Sequence, residues 1–294
     1  MLATFALVAA YHGANIARHL ACRHRSPPCA LSAASDNWFV AAREGSVEIL
    51  EQCLAEGMDV NSKSAAASGS TALHLSASFG HADAVKTLID ADADLDAVAK
   101  SGGTTALHSA AFGNRFAIVD LLIDGGADVN AEQADGSTAL LEAAAAGHVS
   151  VVERLIEAKA NPDLGATALP LPTAALKNHT DILTLLLNGG ADPNAEEADG
   201  STALLKAAYS GNVVAINLLL AAGADPQPSR DGLTALHYAA IEGHHAAVKA
   251  LIAGGADVKA EDEGGNTPLR YVLVASEPAK IAHSLLQAGA EFEV

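Results

Sequence analysis

The tetrapeptide Thr-Ala-Leu-His begins at Thr71, again at Thr105 and again at Thr234, and weaker copies start at Thr138, Leu169, Thr202 and Thr267. Successive steps from Thr71 are 34, 33, 31, 33, 32 and 33 residues. Self-similarity at that period marks units too small to bury their apolar faces alone, which must stack on their neighbours to share one core. Such a chain grows by adding layers, so 294 residues make one elongated domain rather than several compact ones.

The chemistry inside a unit predicts two short helices. A Thr such as Thr138 suits an N-cap, its hydroxyl accepting an orphan N–H of the first turn. The His three residues on in the tetrapeptide stands where a capping-box Glu or Gln would, so it can bond back toward the Thr. Pro170 and Pro268 follow the cap slot in two units, at the first helical position, where proline is tolerated. Ala-Ala pairs (Ala110-Ala111, Ala143-Ala144, Ala174-Ala175, Ala207-Ala208, Ala239-Ala240) let the first helix pack closely against its neighbours. Ile118, Val119, Leu122 and Ile123 form the buried stripe of a second helix, and Gly126 then closes it in the left-handed conformation. Asp135-Gly136, Asp199-Gly200 and Asp231-Gly232 are tight turns between units. Thin layers of paired helices also explain a chain that is 50% hydrophobic and only 4% aromatic.

These positions together resemble the ankyrin repeat: Thr105-Ala-Leu-His-Ser-Ala-Ala111, then Ile118-Val119 and Leu122-Ile123, then Gly125-Gly-Ala-Asp-Val-Asn130. The Gly-Ala-Asp tail returns at Gly190, Gly223 and Gly255, and a degenerate opening unit reads from Trp38 to Asp59, with Cys53 in a core leucine slot. The resemblance covers about eight units over residues 36 to 292. It implies an all-α solenoid of helix-turn-helix units with short inter-unit turns, occupying residues 36–294 behind an N-terminal extension of residues 1–35. It also implies that Asn61, Asn130 and Asn194 stand in a context where family members can be hydroxylated.

Charge narrows the partner. The first acidic residue is Asp36 and Arg18, Arg23 and Arg25 precede it, so the array carries all 35 acids against 14 of the 17 basic residues, a net −21. Nucleic acid is not expected as a ligand, because phosphate binding needs clustered Lys and Arg; a basic partner would be drawn in faster. Three cysteines make no disulfide framework, and a reducing, cytoplasmic setting is the expectation. Residues 1–35, acid-free with Arg and Ser, resemble an organellar transit peptide, which would redirect the chain to a mitochondrion or plastid; a disordered terminus is the other reading. His19, Cys22, His24 and Cys29 match no familiar zinc spacing, and no apolar run approaches the ~20 residues of a membrane span.

No phosphate-binding glycine loop, His-Glu-x-x-His or Gly-x-Ser-x-Gly is present. His74, His108 and His237 recur at one structural position and are read as helix-start residues, not as a catalytic set. His244-His245, at an inter-helix turn, is read likewise. The acid pairs at Glu196-Glu197 and Glu261-Asp262-Glu263 are expected to be solvated. No cofactor or metal is expected.

By the family resemblance the partner lies on the concave face, made of turn tips and inner-helix ends. The two residues after each Ala-Ala pair fall there, giving Phe79, Phe112, Leu176, Lys177, Tyr209, Ile241 and Glu242 as contact candidates. Glu132, Asp135, Glu196 and Asp199 supply an acidic rim, interrupted by Lys100 and Arg230. Apolar anchors inside an acidic rim suit a protein or peptide with Lys or Arg around hydrophobic side chains. The expected function is a monomeric, non-enzymatic interaction scaffold. A regulatory or targeting subunit of an enzyme complex is the alternative, and an enzyme or metal-binding protein ranks last.

Overall fold

The computed structural model describes residues 30–99, 102–227, 229–272 and 278–291. It is a stack of helix pairs. Inner and outer helices alternate along the chain: α1 (Ala30–Glu44) and α2 (Val47–Ala55), α3 (Ala72–Phe79) and α4 (Ala82–Asp90), α5 (Ala106–Phe112) and α6 (Phe116–Asp124), α7 (Ala139–Ala146) and α8 (Val149–Glu157). The second half continues with α9 (Pro170–Lys177) and α10 (Thr180–Asn188), α11 (Ala203–Ser210) and α12 (Val213–Ala221), α13 (Ala235–Ile241) and α14 (His245–Ala253), and α15 (Pro268–Tyr271) and α16 (Pro278–Gln287). Each inner helix packs on the inner helix of the next unit and each outer helix on the next outer one, giving two layers with a continuous core between them. Helix α1 begins ahead of residue 36, where the sequence placed the start of the array.

The predicted caps form. Thr138 accepts the N–H of Leu141 at 3.2 Å. In the full motif the backbone N–H of Thr71, Thr105 and Thr234 donates to Nδ1 of His74, His108 and His237 at 3.3, 3.4 and 3.1 Å. The other ring nitrogen reaches the carbonyl of Thr104, Ser137 or Asn266 in the next unit. A carbonyl only accepts, so Nε2 carries the proton and Nδ1 is bare: each ring is a neutral strut between two units. Burial pushes all three imidazoles below the usual histidine value.

The core is where the periodicity put it. The alanine pairs are fully buried, as are Ile118, Val119 and Leu122, and Ile123 packs partly buried against them. Cys53 is buried as a free thiol. Gly126 takes φ +94° beyond the end of α6, as the motif requires. Strands β1 (Ser229–Arg230) and β2 (Leu233–Thr234) pair antiparallel before α13. Asp231 and Gly232 between them have φ +53° and +77°, the double positive φ of a two-residue hairpin.

A second ladder runs through the inter-unit loops. Each Gly-Ala-Asp aspartate bonds the N–H two residues on, as Asp128 does with Asn130 at 2.9 Å. Where that second residue is an asparagine it accepts an N–H of the following unit: Asn61 from Asp94 at 2.8 Å, Asn130 from Asn161 at 2.7 Å, Asn194 from Asp225 at 2.8 Å. The recurrent asparagines are rungs that fix the spacing of neighbouring units.

Candidate functional site

From α1 to α13 each inner helix ends one or two residues beyond a pair of small buried side chains, Ser76-Ala77 in α3 and Ala-Ala in the others, and that spacing decides what surfaces. The alanines face inward, so the next side chains emerge. Phe79 is 52% exposed, Phe112 65% and Tyr209 50%; Leu176, Lys177 and Glu242 are exposed and Ile241 half-buried. At Phe112 and Tyr209 the backbone is held while the side chain stays open. His148 Nε2 donates to the Phe112 carbonyl at 2.9 Å and His244 Nε2 to that of Tyr209 at 3.1 Å. His244 is thus the inter-helix structural residue the sequence indicated. Rings displayed on an immobilised backbone lose little entropy when a partner covers them.

The rim is less uniform than the sequence implied. Glu132, Asp135 and Glu196 are exposed at the turn tips. The Ser137 N–H holds the Asp135 carboxyl below the ordinary range. For Asp199, burial works upward but is overcome by the Ser201 N–H and Arg230, with Arg230 Nη1 3.1 Å away. Two acids expected to be solvated are bonded within the protein instead, Glu197 buried and Asp262 half-buried. Glu197 is 7% exposed, accepting the N–H of Leu169 at 2.9 Å and pairing with Lys206. Asp262 is bonded by Tyr271 and Asn266, and the Tyr271 hydroxyl holds its carboxyl far below the usual range. Both acids are consumed by the residue four beyond the cap position of their own unit, Lys206 or Tyr271, just as Gln133 bonds Glu142 at 3.0 Å. Lys100 and residues 1–29, with the cysteine-histidine set and the transit-peptide reading, lie outside the described residues.

The structure brings Leu176, Asp199 and Tyr209 together in one groove of about 410 Å³ spanning the fifth to seventh units. Leu205, Lys206, Tyr238, Ser201 and Arg230 complete its lining. The sequence reading placed Arg230 in the rim but did not pick Ser201, Leu205, Lys206 or Tyr238, Leu205 standing in the slot read as a helix-start position. The signal available was that the residue four beyond the cap lies on the open face of the inner helix. Tyr209 and Tyr238 meet edge to face, with centroids 6.3 Å apart and planes at 80°. Phe79 and Phe112 stand on the second and third units, apart from this groove. His74, His108 and His237 are spent as struts. Among the described residues no group of three or more His, Cys, Asp or Glu could hold a metal ion, and no helix is long and apolar enough to cross a membrane.

Comparison with known proteins agrees with this geometry. A family profile described as "Ankyrin repeats (3 copies)" matches residues 38–133, 117–197, 141–230, 171–262 and 204–294. The inactive serine/threonine-protein kinase TEX14 of Bos taurus is 41% identical over 75 residues, 26% of this chain and 5% of that protein. SH3 and multiple ankyrin repeat domains protein 2 of Homo sapiens is 42% identical over 66 residues, 22% of this chain and 4% of that protein. The chain thus spans a small fraction of both curated relatives. The crystal structure of the human ASB11 ankyrin repeat domain superposes with a TM-score of 0.66 at 26% identity, covering 75% of this chain and 99% of that one.

Proposed function

The chain belongs to the ankyrin-repeat family, and from that premise we propose that it is a non-enzymatic scaffold binding a partner protein or peptide on its concave face. The observation that carries this reading is the display of Phe79 and Phe112, 52% and 65% exposed, at the ends of neighbouring inner helices in a chain that is only 4% aromatic. Large rings left in water on a rigid backbone are what interface hot spots are built from. The rim acids Glu132, Asp135 and Glu196 favour a partner with Lys or Arg flanking its hydrophobic anchors. A net −21 over the array supports a protein rather than a nucleic acid as that partner. The buried free thiol of Cys53 supports a reducing compartment such as the cytoplasm, and we take the working form to be a monomer.

The test begins with capture of partners on the full chain and continues with the double variant Phe79→Ala/Phe112→Ala. Partner affinity is expected to fall at least tenfold, about 1.4 kcal/mol, with the melting temperature unchanged. Unchanged affinity alongside lost stability would make the two rings packing residues and end this reading of the face.

A further inference from the structure

We propose that the groove over the fifth to seventh units receives a carboxylate-bearing apolar segment of the partner, its apolar side chain on the Tyr209–Tyr238 floor and its carboxylate at Lys206 and Arg230. The inference deepens the scaffold reading and rests on it. It also assigns this groove an occupant of opposite sign to that favoured by the outer rim.

Asp199 is the acceptor-only side chain of the lining, and both its oxygens are engaged: Oδ1 takes the Ser201 N–H at 2.9 Å and Oδ2 faces Arg230 Nη1 at 3.1 Å. Glu197 lies beneath the floor, its side chain 2% exposed, committed to the Leu169 N–H and to Lys206. Donors remain in surplus. An ammonium has three N–H and a guanidinium five, whereas Lys206 meets one carboxylate and Arg230 uses Nη1 toward Asp199 and Ser201 and Nε, at 3.7 Å, toward Asp231. The hydroxyls of Tyr209 and Tyr238 donate to nothing among the described residues. An occupant matched to this lining supplies acceptors and no competing cation.

The array's net negative charge does not reverse this. At physiological ionic strength charges are screened over about 8 Å, so rim acids on other units steer the approach of a partner while the contacts inside the groove decide what seats there. The apolar half is equally defined, with exposed Leu176 on the fifth unit facing Leu205 and the tyrosine pair across the junction.

Nuclear magnetic resonance titration of the full chain with three small probes tests the assignment: N-acetyl-phenylalanine, its neutral amide, and phenethylamine. N-acetyl-phenylalanine is expected to shift Leu176, Leu205 and Tyr209 signals saturably and to bind at least fivefold more tightly than the amide, with phenethylamine weakest. Arg230→Gln should shrink that preference to within twofold. Tyr209→Ser, at a half-exposed site the fold does not need, should weaken both phenylalanine probes. Equal or tighter binding of the amide or the amine, shifts confined to Phe79 and Phe112, or no shift at millimolar probe overturns the proposal. A probe that seats in the groove of a chain that engages no partner protein keeps this chemistry and removes the scaffold reading. A partner whose binding ignores both Tyr209→Ser and N-acetyl-phenylalanine does the reverse.

Discussion

Glu197 accepts the backbone N–H of Leu169 at 2.9 Å, across a junction between units and 28 residues of chain. In the units with the full motif that N–H belongs to Thr and is taken by the unit's own His. The fifth unit has Leu169 at the cap and Pro172 in the His slot, so it can make neither half of the reciprocal pair. The acceptor comes instead from the next unit. Lys206 neutralises the carboxylate that does this, and so the weakest cap in the array is also a bond between two units.

Removing Glu197 therefore breaks two contacts at once. Glu197→Ala leaves the Leu169 N–H and the Lys206 ammonium without their partner, and breaking a buried ion pair of this kind costs about 3–5 kcal/mol. The loss should be local, because a solenoid's stability is a sum of unit and interface terms. Hydrogen exchange by mass spectrometry should show residues 161–180 losing protection by at least tenfold more than residues 105–124. Uniform loss along the array would mean that Glu197 supports the fold only globally.

Leu122 measures the core itself. It is 0% exposed within the outer layer, so Leu122→Ala should cost about 2–5 kcal/mol through lost transfer energy plus a cavity. The readout is the urea midpoint at unchanged slope. A variant that melts within about a degree of the parent would show that this stripe closes around the gap.

Much of the fold was legible because its signals are local and repeated. The cap threonines, the alanine pairs, the Asp-Gly turns and the Ile118-Val119-Leu122 stripe each recur at one period, and each lands where a single unit's chemistry puts it. The candidate site was legible only in part. Phe79, Phe112, Leu176 and Tyr209 emerge because each closely follows a pair of small buried residues near the end of its helix. That Glu197 turns inward while Glu196 beside it stays in water follows from its contacts to Lys206 and to the Leu169 N–H, neither of which lies in its own hairpin. The same holds for Lys206 and Tyr271, whose partners lie in the preceding hairpin rather than on their own helices.

The histidine struts give the array a pH dependence of definite sign. His74, His108 and His237 are buried and neutral, with folded values below the ordinary one. The unfolded chain therefore binds more protons in the window just below about pH 6.5, and stability rises with pH there. The contribution is complete above pH 6.5 and is lost as pH falls through that window, at up to ~1.4 kcal/mol per pH unit for each ring. Denaturant titrations between pH 7.5 and 5 should show this slope, and His108→Gln should reduce it. A flat profile would mean that the rings charge without cost.

A final prediction concerns the one helix start among the described residues where asparagine stands in place of the inter-helix histidine or arginine. Asn178 occupies the usual glycine position in the fifth unit, left-handed with φ +62°. Asn114 does the same in the third unit with φ +54°, and His148 of the next unit still reaches the Phe112 carbonyl there at 2.9 Å. In the sixth unit the residue corresponding to His148 is Asn212. It caps its own helix, accepting the Ala215 N–H at 3.1 Å, and its Nδ2 is left buried without a partner. Asn212→His should lose that cap and gain a strut to the fifth unit, each worth about 1 kcal/mol, so the urea midpoint should barely move. Asn178→Gly should add to this without coupling, to within about 0.5 kcal/mol. A favourable coupling well beyond that would show that Asn178 occupies the space the ring needs.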